Sequence, residues 1–180
     1  MSPRRAAVFL DRDGVLNRRP PPHQYITSAE ALQILPGVAG AVASLRRNGF
    51  VPMVVSNQRG VARGLVSREV LTDIERRLGE AGVEIEEFYY CPHDLDDACD
   101  CRKPCPGLLL RAAHDHSLDL QASVMIGDDE SDMEAGRAAG CRTIRIGPDG
   151  TSTTADRLAS DLPAAATIVS EWAAPRRSTA

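Results

Sequence analysis

Short apolar, β-branched runs alternate with helical patterns along this chain, and that alternation restricts its fold more than any other feature. The runs are Ala6–Leu10, Val51–Val55, Glu86–Tyr90, Ser123–Ile126, Thr143–Ile146 and Thr167–Val169. Helical periodicity covers Val38–Asn48, Ser67–Ala81, Pro106–His116 and Ser131–Ala139, with a weaker helix over Thr154–Ala159. Ser67 caps an amphipathic run of Val70, Leu71, Ile74 and Leu78, and Gly82 stops it. Strands joined by helical crossovers pair in parallel, and their sheet needs helices on both faces. The expected fold is therefore α/β, a mostly parallel sheet covered on both sides. A chain of 180 residues that is 43% apolar suits one domain. That domain is expected to span residues 1–172, with 173–180 as a disordered tail.

In such folds ligands bind outside the carboxyl ends of the strands, where the strand order reverses. Three polar clusters follow predicted strands at that end: Asp11–Gly14, Ser56–Gly60 and Gly127–Asp132. Asp11 and Asp13 are two residues apart, so an extended chain turns both toward one small volume, where their charges repel unless a cation intervenes. Alone, the pair reads first as a surface turn ending a strand. Together with Ser56, Asn57, Gln58, Lys103 and the acids at 128, 129 and 132, it forms an inventory suited to phosphoryl transfer. Asp11 is the candidate nucleophile and Asp13 the candidate general acid and base. Magnesium is expected on Asp11 and Asp128, with Ser56 and Lys103 on the transferring phosphoryl oxygens.

Four of the five cysteines fall between residues 91 and 105. Cys91, His93, Cys99 and Cys101 make a Cys3His set, the composition of a closed structural zinc site. Zinc there would brace the loop that presents Arg102 and Lys103. Cys105 reads as a small loop residue and Cys141 as core.

The four clusters, Val8–Gly14, Ser56-Asn57-Gln58, Lys103-Pro104 and Gly127-Asp128 with Asp132, resemble in order the four motifs of the haloacid dehalogenase (HAD) superfamily of phosphatases. The resemblance covers roughly residues 6 to 147 and implies a Rossmann-like, HAD-like fold with no large cap domain. It implies magnesium on Asp11, the backbone carbonyl of Asp13, and Asp128. The zinc loop joined to Arg102-Lys103-Pro104 is similar to the heptose-bisphosphate and histidinol-phosphate phosphatase branch. Asn57–Gly64 and Asp128–Met133 lean toward the heptose enzymes, for which D-glycero-D-manno-heptose 1,7-bisphosphate is the implied substrate, with histidinol phosphate or another small phosphomonoester as the alternative. By that likeness Ser56, Asn57, Gln58, Arg59, Arg102, Lys103 and Tyr25 contact substrate, and Arg102 suits a second phosphate. Three departures stand out. Asp129 occupies a position where the family often has Lys, and Arg59 one where a small polar residue is common. The segment Arg18–Tyr25 is longer and richer in proline than the usual substrate loop. It reads as a flap or as a stiff surface loop.

A net charge of −4 and basic residues in isolated pairs, such as Arg18-Arg19, speak against a nucleic-acid surface. No run approaches about 18 apolar residues, so no membrane helix is expected. The expectation is a cytoplasmic monomer that meets a small phosphorylated sugar. A non-catalytic, zinc-stabilised binding protein is the rival from another class.

Overall fold

The computed structural model describes residues 4–173. Along the chain run β1 (Arg5–Leu10), α1 (Val38–Arg47), β2 (Val51–Asn57), α2 (Arg59–Ala62), α3 (Arg68–Glu80), β3 (Glu87–Cys91), α4 (Gly107–His116), β4 (Leu118–Gly127), α5 (Glu130–Ala138), β5 (Arg142–Ile146), β6 (Arg157–Ala159) and α6 (Leu162–Ala173). All six strands are parallel, in the order β3-β2-β1-β4-β5-β6. The chain grows outward from β1 in one direction and then restarts at β4 in the other. The crevice between β1 and β4 is therefore the switch point, and a ligand site is expected at its carboxyl end.

The strand pleat divides the core in two. Val8, Leu10, Val54, Val124 and Ile126 face one layer, where α1, α3 and α6 supply Val42, Leu45, Ile74, Leu78, Ala165 and Val169. Ala7, Phe9, Met53, Val55 and Met125 face the other, where α4 and α5 supply Leu108, Leu109, Ala112 and Ala135. Residues one apart along each strand thus serve opposite layers, as the extended backbone requires. Cys141 is buried in the second layer and Cys105 is exposed. The cap expected at Ser67 is present: its hydroxyl accepts from the Val70 amide at 3.3 Å.

The last two predicted elements exchange identities. Thr167–Val169 lies inside α6, whose buried Leu162, Ala165, Ala166 and Val169 repeat at helical spacing, and Asp161 caps it by accepting from the Ala164 amide at 2.8 Å. Three β-branched residues in a row outweighed that periodicity in the sequence reading. The weak helix over Thr154–Ala159 is instead β6, placed against β5 by Asp156, which accepts from the Thr143 amide at 2.7 Å. β4 starts five residues earlier than expected, at Leu118, and its pairing with β1 shifts register between Ala6 and Val8. There the Asp119 carboxylate accepts from the amides of Gln121 and Ala122. Ala173 ends α6, and the rest of the expected tail lies outside the described residues.

Candidate active site

Asp11 follows β1 directly and is tied to the neighbouring strand by its amide, which donates to the Ile126 carbonyl at 3.0 Å. Asp128 follows β4 just as directly. The chain then turns at Gly14, whose φ of +92° L-residues rarely adopt. A Cβ on Gly14 would lie 1.8 Å from Oδ2 of Asp128, so only glycine lets the two loops meet. A cleft of about 680 Å³ opens here, lined by Asp11, Asp13, Ser56, Lys103, Asp129 and Asp132 among others.

Carboxylate oxygens of Asp11, Asp128 and Asp132 lie within 4.8 Å of one another. Burial, then the charges of Asp11, Asp132 and Asp129, push Asp128 up to about 7, with Arg19 opposing. Asp132 is pushed up to about 6 by burial and by Asp11, against the pull of Lys103. Such a cluster of hard oxygens, made proton-hungry by burial and mutual repulsion, fits a magnesium ion. The carboxylate of Asp13 is not in that cluster, which leaves its backbone carbonyl as the ligand the family resemblance implies.

Lys103 is buried; its ammonium donates to Asp11 Oδ1 at 2.8 Å and to the Val55 carbonyl at 2.8 Å, and it forms an ion pair with Asp132 Oδ1 at 2.6 Å. Its first role here is to balance and orient Asp11. Asn57, expected on substrate, holds the Lys103 backbone at both ends: its Nδ2 donates to the Lys103 carbonyl at 3.1 Å and its Oδ1 accepts from the Lys103 amide at 3.0 Å. Gln58 donates to Ser56 Oγ at 3.0 Å and to Asp13 Oδ2 at 3.4 Å, joining two expected catalytic groups. Arg59 does not offer a free charge to the cleft, because Arg59 and Arg63 both pair with Asp94 of the Cys/His loop. Arg102 donates to the His93 carbonyl at 3.3 Å and lines the cleft with no carboxylate partner among the described residues. Tyr25 also lines it and packs on α2, where a Cβ on Gly60 would lie 2.9 Å from the ring.

The segment Arg18–Tyr25 borders the cleft through Arg19, Pro20, Gln24 and Tyr25. Arg19, read from sequence as half of a solvated basic pair, reaches Asp128 at 2.6 Å and Asp129 at 3.8 Å. Asp129 also has a local reason to be acidic. It caps α5, accepting from the Ser131 amide at 3.0 Å, while Asp132 accepts from the Asp129 amide at 3.1 Å. The inventory of acids included Asp132 but did not place it beside Lys103. Arg12, Asn17 and Asp94 were not singled out; the position of an arginine between two aspartates was a signal for Arg12, and no local pattern marked the other two.

The second cluster lies on the loop after β3. Cys91 Sγ is 3.8 Å from Cys99 Sγ and 3.5 Å from His93 Nδ1, which is 3.2 Å from Cys101 Sγ. A tetrahedron with about 2.3 Å zinc–sulfur bonds has edges of about 3.8 Å, so the spacing fits a four-ligand zinc site. Burial, then contacts and charge from Cys91 and Cys99, push the Cys101 thiol up to about 12, which a bound cation would reverse.

Comparison with known proteins agrees with this geometry. A family model described as HAD-hydrolase-like matches residues 100–171. The D-glycero-beta-D-manno-heptose-1,7-bisphosphate 7-phosphatase of Yersinia pestis is 36% identical over 161 residues, covering 83% of this chain and 84% of the relative. Its namesake from Vibrio cholerae is 40% identical over 148 residues, covering 76% and 78%. The crystal structure of D,D-heptose 1,7-bisphosphate phosphatase from B. bronchiseptica, complexed with magnesium and phosphate, superposes with a TM-score of 0.81 at 30% identity, over 93% of this chain and 99% of that one. The chain belongs to the HAD-like phosphatase family, in the group that holds these heptose-bisphosphate phosphatases, and is a phosphoric monoester hydrolase.

Proposed function

We propose that this phosphatase removes the 7-phosphate of D-glycero-D-manno-heptose 1,7-bisphosphate through an aspartyl-phosphate intermediate. The observation that carries the chemistry is the meeting of Asp11, Asp128 and Asp132 around buried Lys103 at the sheet's switch point. The names of the relatives supply the sugar.

Asp11 attacks phosphorus in line, forming the aspartyl phosphate as the bond to the sugar oxygen breaks. Asp13 gives its proton to that departing oxygen. It then takes one from the water that attacks phosphorus and frees Asp11. Lys103 keeps the nucleophile's carboxylate oriented and offsets charge around it. Ser56 and Gln58 hold the phosphoryl group, and Arg102, free of any carboxylate, receives the second phosphate. Magnesium on Asp11, Asp128 and the Asp13 carbonyl supplies charge neutralisation for nucleophile and phosphate. Zinc on Cys91, His93, Cys99 and Cys101 fixes the loop that carries Arg102 and Lys103. The domain spans residues 1–172 and works as a cytoplasmic monomer. No helix among the described residues is long and apolar enough to cross a membrane.

The test is parallel hydrolysis of both heptose 1,7-bisphosphate anomers, histidinol phosphate and fructose 1,6-bisphosphate. A kcat/KM for the heptose that leads histidinol phosphate by at least about tenfold is expected, since a second phosphate bound by Arg102 adds a charge-assisted contact. The heptose should also lead fructose 1,6-bisphosphate, which carries a second phosphate on a different sugar. A lead for histidinol phosphate would transfer the chain to the other substrate. Asp11→Asn with normal turnover would end the covalent scheme.

A further inference from the structure

Arg12, between the two aspartates, is buried, yet neither charge balance at the metal site nor phosphate binding uses it. Its guanidinium grips the Asp13 carboxylate: Nε reaches Oδ1 at 3.2 Å, and Nη2 lies 3.0 Å from both Oδ1 and Oδ2. Its backbone carbonyl accepts from the amides of Val15, Leu16 and Asn17 at 3.3, 2.9 and 3.2 Å. Asn17 is itself buried and adds a third donor to Asp13 Oδ1 at 2.9 Å. On its far side Arg12 neighbours Tyr90 of β3 and, beyond it, Glu75 of α3. The Nη1 of Arg12 and the Tyr90 hydroxyl are buried without hydrogen-bond partners. The side chain is buried, with its fork aimed at one carboxylate.

The donors are unevenly shared. Oδ1 of Asp13 receives Arg12 twice and Asn17 once, whereas Oδ2 receives Arg12 and only a long 3.4 Å contact from Gln58. A carboxylate with one oxygen saturated and the other spare has a defined proton-bearing edge. We propose that Arg12 is a positioning residue for proton transfer, locking Asp13 so that Oδ2 delivers the proton to the departing oxygen. The proposal rests on the reading of Asp13 as general acid. In that step the phosphorus–oxygen bond to the leaving group breaks, its electron pair takes the Asp13 proton, and Asp11 forms the new bond to phosphorus.

Leaving-group dependence separates this role from a structural one. Benzyl phosphate and p-nitrophenyl phosphate are similar in size, but only the benzyl alkoxide needs a proton to depart, and kcat/KM reports the step in which it leaves. Lysine retains the charge of Arg12 but loses the fork. In Arg12→Lys, kcat/KM for benzyl phosphate should fall on the order of tenfold to a hundredfold, with p-nitrophenyl phosphate within about threefold. Asn17→Ala, which strips one donor from Oδ1, should shift the ratio in the same direction by less, and it decides the matter if Arg12→Lys does not fold. Equal losses on both substrates, or no loss on either, would overturn the proposal. Asp13→Asn serves as the control. If it leaves the benzyl-to-aryl ratio unchanged, the general-acid reading itself has failed, separately from any result at Arg12.

Discussion

Replacing Lys103 with methionine removes the one ammonium from a set of carboxylates that burial has already made unwilling to ionise. The Lys103 side chain is 2% exposed, against 10% for Asp11 and 0% for Asp132. Methionine keeps most of the volume, so the loss is electrostatic and not a cavity. Breaking a buried ion pair by removing one partner costs about 3–5 kcal/mol, because the other charge stays behind unpaired. That loss depends on pH. With Lys103 present Asp132 already sits near 6, and without the pull of Lys103 it moves higher. A carboxyl raised in the folded state contributes stability below its unfolded value and loses it as pH rises through the folded one. At pH 5 Asp132 and Asp128 of the variant are protonated, and the remaining loss should be about 1–2 kcal/mol, mostly from broken hydrogen bonds. At pH 8 the full 3–5 kcal/mol range, about two to four decades in the unfolding constant, should appear. Magnesium at about a hundred times its dissociation constant should return about 2.7 kcal/mol of it. Urea unfolding followed by circular dichroism, at both pH values and with and without magnesium, measures each term. A loss below about 1 kcal/mol at pH 8, or the same loss at both pH values, would refute the charge argument.

Three further outcomes follow from the same geometry. Magnesium binding to the substrate-free protein should strengthen by roughly tenfold per pH unit up to about 7 and then level off, because Asp128 must shed its proton; calorimetry giving a flat affinity between pH 5.5 and 8.5 would contradict this. At pH 8.5, Arg19→Ala should tighten magnesium binding by about two- to fivefold, the worth of a half-exposed ion pair removed from Asp128, and weaker binding in that titration would assign Arg19 a different role. Elemental analysis should find one zinc per chain, and a strong chelator should strip hydrogen-exchange protection from residues 91–105 while β1, β2 and β4 keep theirs; protection unchanged by the chelator would mean that the loop stands without metal.

Where the sequence was readable, chemistry was concentrated in short segments. Asp11, Ser56, Lys103 and Asp128 each sit at or just beyond the end of an apolar strand or on the cysteine loop, so local pattern was enough to gather them into one site. Cys91, His93, Cys99 and Cys101 were legible for the same reason, being close in the chain and few in their chemical options. The miss at α6 arose where β-branched residues and helical spacing overlap in Thr167–Val169, and a short window cannot rank them. Arg19 and Asp129 were opaque for a different reason. Their charges are ordinary on a surface, and their pairing spans more than a hundred residues.

What the sequence by itself determined was the layer architecture, the three polar clusters at strand ends and the lysine on the cysteine loop, the zinc-type ligand set and hence the class of reaction. These depend on periodicity and residue type, which act over a few positions. Only the tertiary structure decided which oxygens face which donors: that Lys103 donates to Asp11 and Val55 and pairs with Asp132, that Asn57 clamps the Lys103 backbone, that Asp94 absorbs Arg59, and that Arg12 aims Asp13. Such pairings are set by where distant strands end in space, to within a hydrogen bond's length. No local pattern carries that information.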